Sequence, residues 1–75
     1  MSAPMFVAAI YSRQGRVDEA FAGTREQAAR ELFARHPKAR DVTTGIATWD
    51  ERAGNWRDLG RDIRTVARWH LNEAR

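Results

Sequence analysis

Gly60-Arg-Asp-Ile-Arg-Thr-Val-Ala-Arg-Trp-His-Leu-Asn-Glu-Ala-Arg75 is the stretch on which the fold turns. Within it Ile63, Val66, Ala67, His70, Leu71 and Ala74 recur at spacings of three and four, the pattern of an amphipathic helix. The spacing predicts a helix from about Arg61 to Glu73, with Gly60 and Asp62 near its start and Asp62 well placed on the helix dipole. On such a helix Arg61, Arg64, Arg68 and Arg75 share one narrow flank, while Asp62, Trp69 and Glu73 share the opposite one.

Upstream, the chain reads as further strands and one more helix. Val42 to Asp50 is rich in Thr, Val, Ile and Trp, so it predicts a strand, and Glu51-Arg52-Ala53-Gly54 supplies a turn. Pairing around that turn sets Trp49 opposite Trp56 and Ile46 opposite Leu59, and parity puts the two pairs on different faces of the sheet. Before the connector Pro37-Lys38-Ala39-Arg40, a Thr24 and Gln27 capping-box pattern opens a helix over about Arg25 to His36 that Pro37 stops. Ala28, Ala29, Leu32 and Phe33 form its inner stripe, and Glu26 with Arg30 and Glu31 with Arg35 are expected as i,i+4 ion pairs outside.

Met5 to Tyr11 is apolar on both faces and predicts a well-covered strand, paired through the loop Arg13-Gln14-Gly15 with a strand from Arg16 to Ala22. Gly15 takes the left-handed position in that loop, and the expected register opposes Val7 to Phe21 and Tyr11 to Val17. Residues 1–4 read as a flexible leader to one domain over residues 1–75. The sequence therefore predicts an α+β fold in the order strand-strand-helix-strand-strand-helix, an antiparallel sheet with two helices on one face.

Composition narrows the chemistry. The 75 residues contain no Cys, which excludes disulfides and cysteine-bearing metal centres, and the longest apolar run is too short to span a bilayer. No export signal is seen at the N-terminus, so a cytoplasmic location without membrane contact is expected. The sequence pI of 10.6 overstates the basic character. The formal charge is only +3, and with one Tyr and one Lys few groups titrate below the arginine range.

Catalysis is not expected. Ser2, Ser12, His36, His70 and the turn carboxylates Asp50 and Glu51 make no nucleophile-base set and no metal-ligand spacing, and no phosphate-cradling glycine motif occurs, so neither a cofactor nor a metal site is predicted. Two features suit binding instead. If Ile46 and Leu59 face the helices, Trp49 and Trp56 lie on the open side of the sheet, where aromatics anchor interfaces; the reverse assignment makes them core. The flank Arg61, Arg64, Arg68 and Arg75 can meet phosphates or carboxylates, or be a solvated face paired with neighbouring acids.

The pattern of a short apolar strand Met5 to Tyr11, a hairpin, a strand ending Ala20-Phe-Ala-Gly-Thr24 and the helix start Arg25-Glu-Gln-Ala-Ala-Arg30 resembles small phage and mobile-element accessory proteins, including some anti-CRISPR proteins. The resemblance implies a non-catalytic inhibitor that occupies a surface of a larger host protein or nucleoprotein complex. On this reading Trp49, Trp56 and Arg57 are the anchors and the terminal arginines form the rim. The alternative is a sequence-tolerant nucleic-acid binder using the same arginines, and a homodimer stays open.

Overall fold

The structure is a computed structural model that describes residues 5–58 and 63–68. Strands dominate it: β1 (Met5–Ser12), β2 (Gly15–Ala22), β3 (Asp41–Asp50), β4 (Asn55–Asp58) and β5 (Arg64–Ala67), with α1 (Arg25–Arg35) between β2 and β3. The sheet runs β2-β1-β3-β4, with β5 also on β3, and every pairing is antiparallel.

α1 begins where the capping pattern places it. Thr24 is extended, its Oγ1 accepts from the Gln27 N–H at 3.1 Å, and its carbonyl accepts from the Ala28 N–H. The helix buries Ala28, Ala29, Leu32 and Phe33 against Ala8 of β1, Ala20 and Ala22 of β2 and Val42 of β3. Alanines on the strands let the helix approach closely, and Ile10, Ala39 and Val66 close the margin of this core.

The two hairpins follow the expected registers to different extents. Val7 opposes Phe21 as expected, but Tyr11 opposes Arg16 rather than Val17, because the ladder shifts by one residue between Ile10 and Tyr11. The tight Ser12–Gly15 closure, with Gly15 at φ +117° and the Ser12 hydroxyl accepting from the Gln14 N–H, leaves Val17 as the extra residue of a bulge. In the second hairpin Trp49 opposes Trp56 as expected; Leu59, the expected partner of Ile46, lies outside the described residues. Asp50 shapes that turn: its Oδ1 accepts from the Arg52 and Ala53 N–H groups and its carbonyl from Gly54, which sits at φ +70°.

The second helix is the correction. Of the described part of the predicted Arg61–Glu73 helix, residues 63–68, Arg64–Ala67 form strand β5 and only Arg68 is helical, so the described residues do not place two helices on one face of the sheet; residues 61–62 and 69–75 lie outside the described residues. The physical reason is the length of β3. β4 pairs only with residues 47–50 of β3, which leaves residues 41–44 of the same edge open, and β5 fills that vacancy with Val66 opposite Val42. The ladder also satisfies a buried hydroxyl, since Thr44 is fully buried and its Oγ1 donates to the Arg64 carbonyl at 3.2 Å.

Candidate binding surface

Side-chain parity assigns the faces. Phe6, Ala8 and Ile10 of β1 oppose Ile46, Thr44 and their neighbours on the α1 side, so Val7, Gly45, Ala47, Trp49, Phe21 and Trp56 all share the face that α1 leaves open. The tryptophan pair therefore lies opposite the helix. Val7, Ala9 and Ala47 on this face are nevertheless buried, at 2%, 3% and 0% exposure.

Curvature buries them. Phe21 on β2 and Trp56 on β4 are separated by β1 and β3, which in a flat sheet means roughly 14 Å between strands. Their rings are 5.7 Å apart and stacked at 26°, so the sheet curls until the two aromatics meet over its floor. Small residues at Ala9, Gly45 and Ala47 permit the curl. Trp49 stands edge-on to Trp56 at 5.5 Å and 76°, and keeps 37% of its surface exposed. The result is an aromatic bridge with one ring, Trp49, presented at its rim.

Among the described residues, the predicted arginines do not assemble around this bridge. Arg57 neighbours Trp56 in sequence and so projects from the opposite face of β4. Arg64 is on β5 rather than on a helix flank, and Arg61 and Arg75 lie outside the described residues. Arg68 is engaged internally, since its Nη2 donates to the His36 carbonyl at 3.2 Å and the Ala39 carbonyl at 2.6 Å, and its guanidinium lies 5.4 Å from the Phe33 ring centre. It thereby supplies a cation to the C-terminal end of α1, where carbonyls lack helical partners.

A polar cluster that the sequence pattern did not reveal joins β2 to the end of α1. His36 Nε2 lies 2.8 Å from Asp18 Oδ2, and Arg35 Nη1 lies 3.6 Å from the same oxygen. The His36 contact first, and the Glu19 N–H second, hold the Asp18 carboxyl below its ordinary range. Arg35 thus turns toward β2 instead of forming the expected pair with Glu31. The signal was parity: Asp18 opposes Ile10 and so points to the helix side, beneath the last turn of α1. Beside it Arg16 bonds both Glu19, at 2.6 Å, and the Tyr11 hydroxyl, and these contacts raise its pKa further.

The Ser12 hydroxyl is engaged with Gln14 and Gly15 at the first hairpin. Among the described residues no group of three His, Cys, Asp or Glu side chains is placed to hold a metal ion, and no helix is long and apolar enough to cross a membrane. Comparison of the chain with protein families, curated proteins and solved structures found no match.

Proposed function

We propose that the protein is a non-catalytic binding module that docks its curled aromatic face on a larger protein or nucleoprotein complex, with Trp49 as the anchor. The observation that carries this reading is the bridge of Phe21, Trp56 and Trp49 on the sheet face away from α1. Trp49 is exposed, yet its neighbour fixes its orientation, so little rotamer freedom is lost on docking. Exposed, rigid tryptophans are favoured as interface hot spots. The resemblance to small phage proteins supports the finer proposal that the partner is a host complex whose working surface is thereby occupied.

The test uses immobilised wild-type protein and the variant Trp49→Ala as baits in extract of the native host. A partner captured by wild type and lost with the variant, at unchanged folding stability, supports the reading. Equal capture by both baits refutes the anchor. Tight, steeply salt-dependent binding of mixed-sequence DNA or RNA would replace the protein-partner reading with a phosphate-directed one.

A further inference from the structure

Among the described residues β2 is an outer strand, paired with β1 on one side only. An eight-residue edge of this kind offers backbone N–H and C=O groups to any strand that comes alongside. In an antiparallel ladder alternate residues direct both groups away from the partner strand. Glu19 is such a residue, and side chains take both of its groups. Its N–H donates to Asp18 Oδ1 at 2.8 Å, and its carbonyl accepts from Arg35 Nη2 at 3.1 Å. His36 fixes Asp18 in turn through the 2.8 Å contact to Oδ2. Three side chains from two elements converge on one backbone position at the middle of an edge.

We propose that β2 is a strand-pairing edge for a second copy of this chain, and that Asp18, Arg35 and His36 hold it shut. Charge along the strand points to a second copy as the occupant. Glu19 stands opposite Ala9 and Arg16 opposite Tyr11, two steps apart on the same side of the β1 ladder. In a symmetric antiparallel pairing of two β2 strands, Arg16 of each copy therefore meets Glu19 of the other, exchanging the 2.6 Å pair that each now forms within its own strand. Surface ion pairs of this exposure add little to stability, so the arrangement is better explained by what it blocks.

The experiment is sedimentation equilibrium at neutral pH over a dilution series, with folding checked by circular dichroism. Wild type stays at monomer mass. The variant Asp18→Ala/Arg35→Ala shifts to twice that mass, and adding Glu19→Pro, which removes the outward N–H without touching a β1 bond, returns it to monomer. Adding Trp49→Ala instead leaves the dimer intact. Should the double variant not fold, Arg35→Gln alone frees the Glu19 carbonyl and shifts the mass in the same direction at higher concentration. A folded variant that stays monomeric, a dimer that survives Glu19→Pro, or a wild type already dimeric overturns the proposal.

Discussion

Trp56 joins the two ends of the curled sheet, and a double-mutant cycle with Phe21 measures that joint directly. Leu at either position keeps an apolar side chain while removing the ring that makes the 5.7 Å stack. A stacked aromatic pair is worth about 0.5–1.5 kcal/mol beyond the area it buries, so the coupling between Phe21→Leu and Trp56→Leu should fall in that range. Trp56→Ala is more severe. It breaks the contacts to both Phe21 and Trp49 and uncovers the floor at Val7 and Ala47, at a cost of roughly 3 kcal/mol. A single core in a chain of this size contributes only about 3–5 kcal/mol of net stability, so Trp56→Ala should keep at most about 2 kcal/mol and be marginally folded at room temperature. Trp49→Ala, from a rim position, should cost about 1 kcal/mol and remain folded. Urea titration followed by far-ultraviolet circular dichroism reads all five variants, the double variant included, without relying on tryptophan emission. Coupling below about 0.3 kcal/mol, within ordinary additivity, would show that the rings do not meet and that the sheet is not curled as described.

Three further outcomes are expected. Arg68→Met should destabilise by about 1–3 kcal/mol in the same titration, because the His36 and Ala39 carbonyls lose a charged donor, whereas Arg57→Met at an exposed position should change little. The stability gap between wild type and Asp18→Asn should be constant above the ordinary carboxylate value and close as the pH falls through the lowered pKa of Asp18, since its contribution is lost only on protonation; a gap independent of pH would refute the role of its partners. The same substitution at two glycines should have opposite signs: Gly15→Ala destabilises by about 1 kcal/mol because of its positive φ, while Gly23→Ala, in open space without positive φ, is neutral or stabilising in thermal melts.

The hairpins and α1 were readable because local chemistry and tertiary need agree there. Thr24, Pro37, Gly15 and Gly54 punctuate the chain where backbone geometry demands it, and the apolar stripes continue on both sides of each turn. Residues 63–68 show the opposite case. Ile63, Val66 and Ala67 fit a helical stripe, but Thr65 and Val66 are β-branched, and a stretch this short satisfies either period. What decided it was remote: the edge of β3 at residues 41–44, which β4, described as far as Asp58 opposite Ala47, leaves for β5. Of the predicted arginine flank, Arg64 sits on β5 instead of a helix, and Arg61 and Arg75 lie outside the described residues. Parity separated the tryptophan pair from Ile46 but left open which of the two faces the helix covers, and the link to Phe21 was hidden, since nothing in a strand's sequence reports how far a sheet curls.

A sheet with one helix has one face to cover by itself. α1 buries the inner row of β1, β2 and β3, and a chain of 75 residues leaves no comparable layer in the described residues for the other side. Curling is the response, because it lets the open face pack against its own far edge. The closure is uneven: rings from β2 and β4 meet over the middle, and among the described rings the one next along β3 meets only Trp56, edge-on. Trp49 is therefore exposed for the same geometric reason that Val7 and Ala47 are buried. Folding and docking then share residues in a graded way. In the proposed docking Trp56 belongs mainly to the fold and Trp49 mainly to the partner, and the edge-on contact between them keeps the exposed ring in one orientation. A partner that covers Trp49 supplies the missing layer, so binding should strengthen the closure on which its own site depends.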